Sequence, residues 1–370
     1  MSVNISKIKT IKTFKYRLYP TNAQIQTINN TIESCRRLYN YFLEDRIFTF
    51  KEIKTNVSKF EQINQIPILK KNNLYYKNVY SQVLQDVAAR LDKAYDNFFR
   101  CVKSGKDKPG FPKFKGKHFY DSFCYPQSGF SINNNKLKLS KIGSIKIKLH
   151  RPIGGITKTC SIIRKNDKYY ACFSCEVDVQ VLPATGNKIG IDVGIADFVI
   201  TSNGEFFPKL DAYRKAEKHL KYLQRQVSRR KKGSNRRRKA VMLLAKKYEN
   251  IANQRKDMAH KVSRILINNN DMIAHEDLQI KNMVKNHNLA KSISDASWGM
   301  LFNFLAYKAS DAGRRVVAVP PAYTSQICSK CGEIVKKKLS ERMHNCPICG
   351  LSMHRDVNAA KNILAIALVN

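Results

Sequence analysis

Two Cys-x-x-Cys pairs near the end of the chain place the strongest constraint on its fold. They are Cys328–Cys331 and Cys346–Cys349, and a glycine, Gly332 or Gly350, closes each pair. Four thiolates at this separation can surround one tetrahedral Zn²⁺. Disulfides are the alternative, but cysteines so close in sequence form strained bridges, whereas glycine suits the tight turn of a metal knuckle. The pattern therefore predicts a zinc ribbon over residues 324–353.

The segment after the ribbon predicts a helix that begins with an acid. Apolar residues recur at helical spacing along it, and they are Ala359, Ala360, Ile363, Leu364 and Ala367. This spacing buries one face of the helix against a core and puts Asp356 in its first turn. A ribbon closed by zinc would therefore deliver the Asp356 carboxylate to a fixed place.

Two earlier acids end apolar runs that read as strands. Asp192 closes the run from Lys188 and is followed by Gly194 and a second apolar run, whereas Glu276 ends a short run from Asp271. An acid on a buried strand, followed by glycine and an antiparallel return strand, is typical of the start of a ribonuclease H-like fold. Carboxylates that converge from separate elements bind two divalent cations about 4 Å apart. Hard oxygen ligands favour two Mg²⁺ ions, and Mn²⁺ is possible.

The charge of the chain indicates a polyanionic partner. Lysine and arginine number 67 against 28 acids, which gives a formal net charge of +39. Such an excess favours nucleic acid, with a membrane surface as the alternative polyanion. No apolar run reaches the roughly 18 residues of a membrane span. Ten cysteines without a secretion signal indicate a reducing compartment, so we expect no membrane partner and a cytoplasmic protein, nucleoid-associated in a prokaryote.

Three segments are candidates for nucleic-acid contact. The first is a run with no acid inside a long helical region, and it contains Arg229, Arg230, Lys231, Lys232, Arg236, Arg237, Arg238 and Lys239. The second is a glycine- and proline-rich loop over 104–117, where Lys113 and Lys115 alternate with phenylalanines in a pattern suited to phosphate contact and stacking. The third is one face of a helix predicted over 78–102, with Lys77, Gln82 and Gln85 as candidate readers of base edges.

The first half of the chain predicts a small β-barrel interrupted by helices. A strand over 13–18 precedes a helix that starts after Pro20, and short runs of alternating polarity fill 122–181. A further CxxC pair, Cys172 and Cys175, lies inside one of these runs. Residues three apart in a strand point to opposite faces, so this pair predicts a structural role and no metal site.

Several motifs in order resemble the TnpB (OrfB) family, which is related to type V CRISPR nucleases. They are IGIDVG, SRRKKGSNRRRKA, QRKDMAHKVS, IAHEDL, DASWG, YTSQICSKCG and HRDVNAAKNIL, over Lys188 to Leu364. The resemblance implies an α/β fold plus a small β-barrel, with a RuvC nuclease domain whose acids match Asp192, Glu276 and Asp356. Its expected domains are a wedge-like barrel over 1–20 and 104–182, a helical recognition lobe over 21–103, a RuvC domain over 187–323 and 354–370, and the inserted ribbon over 324–353.

The same resemblance implies RNA-guided cleavage of DNA. The expected partners are a guide RNA derived from the transposon end and double-stranded target DNA with a short flanking motif, and no obligatory protein partner is evident. Base pairing between guide RNA and target DNA would select the sequence, while the protein would bind the phosphate backbone. The chain departs from the family where Pro320-Pro321-Ala322 replaces a common Asp-Pro, in a loop without catalytic residues.

Three other functions stay open on the sequence alone. A nuclease-dead, RNA-guided DNA-binding regulator would be expected to have lost one or more of the three acids. A transposase acting directly on transposon ends could use the same acids without RNA. A sequence-nonspecific nucleic-acid-binding protein with a zinc ribbon leaves Asp192 and Glu276 without a role.

Overall fold

The computed structural model describes residues 9–105, 109–179, 181–338 and 341–369. The chain divides into two compact units, Met1–Asp178 and Val179–Asn370. The boundary falls where a strand of the first unit ends and an irregular segment precedes the first strand of the second. Each unit has its own apolar core.

The first unit contains a seven-stranded antiparallel sheet. Its strands are β1 (Lys9–Tyr19), β2 (Ser122–Tyr125), β3 (Phe130–Asn133), β4 (Lys136–Leu139), β5 (Gly143–Lys148), β6 (Ile156–Lys165) and β7 (Lys168–Asp178). Their order is β2-β6-β7-β1-β5-β4-β3. The edge strands β2 and β3 are consecutive in the chain, and the rings of Tyr125 and Phe130 approach to 6.4 Å across the gap between them. The sheet is therefore nearly closed, which agrees in part with the predicted β-barrel.

Among the described residues of the first unit, four helices follow β1. They are α1 (Asn22–Ile53), α2 (Lys59–Asn72), α3 (Leu74–Lys77) and α4 (Ser81–Lys103). A capping box starts α1, because the Thr21 N–H donates to Gln24 Oε1 at 3.0 Å and the Gln24 N–H donates to Thr21 Oγ1 at 3.4 Å. The apolar faces of α1 and α4 pack together and bury Leu38, Phe42 and Leu84 completely.

The helix predicted over 78–102 is α4, and it begins three residues later than predicted. Tyr80 is its N-cap residue, with an extended backbone. Lys77 ends the separate one-turn helix α3, so the prediction that Lys77 shares one helix face with Gln82 and Gln85 is wrong. The physical reason is the turn at Asn78–Tyr80, which buries Val79 without continuing the helix.

The pair Cys172 and Cys175 lies in β7 as predicted. Burial alternates strictly along the middle of this strand, where Cys172 is half-buried and Cys175 is fully buried on the opposite face. Two side chains on opposite faces cannot share a metal ion. Cys175 instead packs in the apolar core of the first unit.

The second unit is built on a five-stranded mixed sheet. Its strands are β8 (Lys188–Asp192), β9 (Asp197–Thr201), β10 (Phe206–Pro208), β11 (Met272–Glu276) and β12 (Arg315–Val319), in the order β10-β9-β8-β11-β12. Strand β9 runs antiparallel to both of its neighbours, β8 and β10, whereas β8, β11 and β12 are parallel. Acid-bearing strands β8 and β11 are therefore neighbours at the centre of the sheet.

Helices and a small ribbon complete the second unit. The helices are α5 (Ala212–Ser228), α6 (Asn235–Asn269), α7 (Ile280–Met283), α8 (Ala290–Ala296), α9 (Trp298–Ala312) and α10 (Arg355–Val369). The ribbon pairs β13 (Met343–Asn345) with β14 (Ser352–His354). Helix α10 packs directly on β8, because a Cβ added to Gly190 would stand 2.0 Å from the Ala360 carbonyl oxygen.

Candidate metal centres and nucleic-acid surfaces

The four ribbon cysteines form one compact cluster. The Sγ atoms of Cys328, Cys331, Cys346 and Cys349 all lie within 4.8 Å of one another. Cys328 and Cys349 approach to 3.6 Å, and Cys331 and Cys346 to 3.5 Å. A tetrahedral ion with Zn–S bonds of about 2.3 Å needs sulfur atoms about 3.8 Å apart. The donor set and its spacing therefore fit a closed structural zinc site.

Two matching backbone turns hold these thiols. The Gly332 N–H donates to the Cys328 carbonyl at 2.9 Å, and the Gly350 N–H donates to the Cys346 carbonyl at 3.1 Å. Both glycines have positive φ, +81° and +69°, which side-chain-bearing residues rarely adopt. Backbone N–H groups of Cys349 and Ile348 lower the pKa of the Cys346 thiol to about 7. The turn thus favours the thiolate that a metal ion binds.

The three predicted acids meet at the end of the second sheet where its central strands β8 and β11 terminate. Ile191 pairs with His275 in the parallel ladder, so Asp192 and Glu276, the last residues of β8 and β11, leave the sheet side by side. Asp356 lies in the first turn of α10, one turn before the contact of that helix with β8. Its charge acts on Asp192. Two strands and a helix therefore bring together residues that are remote in sequence.

The electrostatics of this edge favour cation binding. Burial, followed by the like charges of Glu276 and Asp356, raises the pKa of Asp192 well above its ordinary value. Burial also raises the pKa of Glu276, although a hydrogen bond from Thr324 opposes that effect. A carboxylate whose pKa is raised by neighbouring acids gains stability as the anion when a cation binds beside it. We name this set of three acids the carboxylate edge.

Asp356 already has cationic neighbours. Arg355 Nε donates to its Oδ1 at 3.0 Å, and the Arg342 guanidinium of the ribbon lies 3.7 Å from its Oδ2. The Asp356 side chain is buried. Among the residues that the structure describes, the four ribbon cysteines form a group close enough together to bind a single ion.

Sequence reasoning missed three residues that adjoin the carboxylate edge. Thr324 donates its hydroxyl to Glu276, whereas Asn358 and Asn362 of α10 donate to backbone carbonyls of the segment that enters the ribbon. All three side chains are buried. Two asparagines on the buried face of a predicted helix were the available signal, because a buried amide needs hydrogen-bond partners.

The basic run lies between α5 and α6 and extends into the first turns of α6. Six of the eight predicted residues are exposed, namely Arg229, Lys231, Lys232, Arg236, Arg238 and Lys239. Arg230 and Arg237 are half-buried, and Arg230 donates to the Arg236 carbonyl at 2.8 Å and to Gln226 at 3.2 Å. We name residues 229–239 the basic turn. Its exposed charge is free to meet a polyanion.

The remaining candidates differ in availability. Lys113 and Lys77 are exposed. Lys115 Nζ lies 5.5 Å from the centre of the Tyr39 ring. The backbone N–H of Lys115 donates to Asn40 Oδ1 at 2.7 Å. Gln82 Oε1 accepts from the N–H and hydroxyl of Ser128 at 3.1 and 3.2 Å. Gln82 therefore keeps only its amide N–H₂ group for a base edge. Gln85, the last of these candidates, is half-buried.

Three family models match successive parts of the chain. Residues 10–54 match a "Helix-turn-helix domain", residues 172–287 match "Probable transposase" of the OrfB type, and residues 298–363 match a "Cas12f1-like, TNB domain". Residues 10–54 form β1 and the single long helix α1, so this segment has no turn between two helices. The third match spans the Cys₄ ribbon and Asp356.

The fold has a solved counterpart, and the family of the chain follows from its sequence relatives. The chain shares its fold with the mini-RNA-guided endonuclease CRISPR-Cas_phi3, at a TM-score of 0.50 and 12% identity over 98% of this chain and 92% of that one. Two sequence relatives carry the name "Putative RNA-guided DNA endonuclease". One, from Streptomyces pristinaespiralis, is 34% identical and covered to 89%, and InsQ of Escherichia coli K12 is 32% identical and covered to 92%. The chain belongs to the TnpB (OrfB) family.

No helix among the described residues is long and apolar enough to cross a bilayer.

Proposed function

We propose that this protein is an RNA-guided DNA endonuclease of a transposable element, with a RuvC-type catalytic site at the carboxylate edge. The observation that carries the proposal is the convergence of Asp192, Glu276 and Asp356, whose like charges raise the pKa of Asp192. Membership of the TnpB family supports guidance by RNA, since relatives over nearly the full length carry that name. The cleaved bond is a phosphodiester of the target DNA.

The carboxylates would each have a defined task in this reaction. Bound divalent cations, two Mg²⁺ ions or Mn²⁺ in their place, would activate the attacking water and stabilise the leaving oxygen. Asp192, whose pKa the charges of the other two acids raise, would have to lose its proton to bind a cation. Glu276 and Asp356 would supply the other carboxylate ligands. Their places are fixed by the ends of β11 and α10.

The Cys₄ cluster would hold structural Zn²⁺ and keep α10 in place. The ribbon precedes α10 directly, and the Arg355 N–H donates to the Arg342 carbonyl at 2.8 Å. Structural zinc contributes folding free energy to the segment that it closes. The zinc site would therefore position Asp356 without taking part in the chemistry.

We also propose the domain division implied by the family. The wedge-like barrel takes 1–20 and 104–182, the helical recognition lobe 21–103, the RuvC domain 187–323 and 354–370, and the ribbon 324–353. The observed elements support these bounds, since α1 to α4 lie between β1 and β2, and the ribbon strands lie between β12 and α10.

Guide RNA and target DNA are the proposed partners. The basic turn offers exposed cations for a phosphate backbone, and Lys113 and Lys77 offer further exposed charge. Pairing between guide and target would select the sequence, and the protein would read a short flanking motif. Gln82 and Gln85 are candidates for that reading. A protein of this kind acts in the cytoplasm, on the nucleoid in a prokaryote.

The first test is the RNA content of the protein purified from cells that carry its native flanking DNA. A stoichiometric RNA of defined length, followed by Mg²⁺-dependent and ribonuclease-sensitive cutting, is the expected result. RNA-free protein that cuts transposon ends would indicate a transposase acting directly. RNA-bound protein that binds its target without cutting it would indicate a nuclease-dead regulator.

A further inference from the structure

The segment that enters the ribbon contacts the carboxylate edge through one hydroxyl. Thr324 is only 2% exposed, and its Oγ1 donates to Glu276 Oε1. The alternative acceptor is the Pro321 carbonyl, at 3.3 Å. A hydroxyl has one proton to donate, and the contact with the carboxylate is the shorter of the two.

The same segment is attached to α10 by two buried side chains. Asn362 Nδ2 donates to the Thr324 carbonyl at 2.8 Å and to the Ile327 carbonyl at 2.7 Å. Asn358 Nδ2 donates to the Ile327 carbonyl at 2.7 Å, and its Oδ1 accepts from the Ser329 N–H at 2.9 Å. Because α10 also carries Asp356, the segment 324–329 is fixed to one acid-bearing element and contacts the acid of another.

We propose that Thr324 is a positioning residue for Glu276, which fixes the place of this carboxylate relative to Asp356. A glutamate side chain has several rotamers, and ordering it costs free energy that a preformed hydrogen bond lowers. With Oε1 held by Thr324, Oε2 is left for a cation at the carboxylate edge. Hydrogen bonds to metal-ligating groups typically change metal affinity or activity by about 10–100-fold. The proposal rests on the proposed function, because it assigns Glu276 a metal-binding task.

The geometry separates the hydroxyl from the anchoring of the segment. Asn362 binds the backbone carbonyl of Thr324, which every substitution at 324 retains. T324V replaces the hydroxyl by a methyl group of similar volume, whereas T324S keeps the hydroxyl and removes the methyl group. A role in packing alone would make T324S as damaging as T324V, or more so, since serine leaves a small cavity.

The experiment measures metal binding as well as cleavage. Mn²⁺ is titrated into full-length, zinc-loaded protein and followed by electron paramagnetic resonance, and the binding lost in E276Q defines the site. The Mg²⁺ concentration for half-maximal cleavage is then measured with the RNA complex. For T324V we expect about tenfold weaker Mn²⁺ binding and a similarly raised Mg²⁺ midpoint. T324S should stay within about twofold of the unaltered protein on both measures.

Three results would overturn the proposal: a T324V protein with unaltered Mn²⁺ affinity, a T324S protein as impaired as T324V, or a T324V effect that persists in the E276Q background. If T324V loses its zinc, T324A removes the same hydroxyl without placing a methyl group beside Glu276. Failure of the proposed function gives a different result. The unaltered protein would then bind Mn²⁺ through Glu276 yet show no guided cleavage.

Discussion

The two candidate metal centres of the second unit are built in opposite ways. The ribbon draws its four ligands from residues 328–349, and the turns at Gly332 and Gly350 hold the thiols within 4.8 Å of one another. The carboxylate edge draws its acids from β8, β11 and α10, and the sheet holds them together against their mutual repulsion. The first centre organises its own backbone, whereas the second is organised by the rest of the fold.

This contrast predicts that loss of the zinc site disturbs the carboxylate edge, whereas loss of an acid leaves the ribbon intact. Loss of an acid removes charge from the end of a strand that its neighbours hold in place, so the ribbon should stay intact. Loss of zinc removes the interaction that orders the ribbon, and the ribbon connects directly to α10 and Asp356. Variants at the two centres should therefore differ in fold even where both lose activity.

The largest effect is expected at the carboxylate edge. D192N and E276Q should each lower guided cleavage by about 10³-fold or more, because each removes a charged cation ligand worth several kcal/mol in the transition state. Guide RNA binding and zinc content should stay unchanged. D277N is the matched control, since Asp277 is the exposed neighbour of Glu276. Loss of RNA binding in D192N with the fold preserved would count against the assignment.

A smaller loss of cleavage, about 10–100-fold, is expected from the ribbon. C346S/C349S should lose zinc and become sensitive to proteolysis between 324 and 354, since structural zinc contributes the folding free energy of such a segment. C172S is the control, because Cys172 is a half-buried cysteine of β7 and has no part in the cluster. Zinc content by mass spectrometry and limited proteolysis are the measurements. Full cleavage by the C346S/C349S protein would refute the coupling between the centres.

A carboxylate outside both centres, Asp295, sharpens the comparison because its cationic partner is part of the protein. Asp295 Oδ1 accepts from Arg255 Nε and Nη2 at 2.9 and 2.7 Å, and it also accepts from the Tyr213 N–H at 3.0 Å at the start of α5. Breaking a buried pair of this kind costs about 3–5 kcal/mol. D295N should therefore destabilise the second unit by that order, with D277N again as the control.

The fluorescence of Trp298, the single tryptophan of the chain, reports this unfolding, because the residue is buried in the second unit. Urea titrations of zinc-loaded D295N and D277N proteins give the two free energies of unfolding. Equal stability of the two variants would show that the Arg255–Asp295 pair contributes nothing measurable.

The smallest effect is a pH dependence caused by a buried lysine. Lys308 is 3% exposed and donates to the His260 carbonyl and to Ser263 Oγ at 2.8 and 2.7 Å. Burial lowers its pKa to about 8, from 10.5 in water. Below pH 8 both folded and unfolded states bind the proton, and between pH 8 and 10.5 only the unfolded state does. The free energy of unfolding should therefore rise with pH across this window, by at most about 3 kcal/mol.

K308M isolates this contribution. The difference in free energy of unfolding between the unaltered protein and K308M should shift in favour of the unaltered protein from pH 8 to pH 10, again by Trp298 fluorescence. A difference that stays constant over this range would show that Lys308 keeps its ordinary pKa in the fold.

Most predictions about the two candidate metal centres rested on local sequence patterns. The cysteine spacing predicted the Cys₄ cluster because knuckle geometry depends only on neighbouring residues. Asp192 and Glu276 were predicted as acids that end apolar runs, and Asp356 as an acid in the first turn of a helix. Their catalytic role stays a prediction. No individual helix was predicted for residues 54–77, where α2 and α3 lie within the predicted helical lobe, because Pro67 lies inside α2 and the apolar residues of α2 do not follow one face. Thr324 was missed for a different reason. Its contact with Glu276 depends on how the segment folds back onto β11, which no local pattern specifies.

The most direct test of the central claim is cleavage of a plasmid by protein loaded with a guide RNA of chosen sequence. The target segment of the guide is exchanged, and the plasmid carries either the old or the new target beside the native flanking motif. We predict that cutting follows the guide, requires Mg²⁺ and is absent in D192N. Cutting that ignores the guide sequence, or that persists in D192N, would contradict the account.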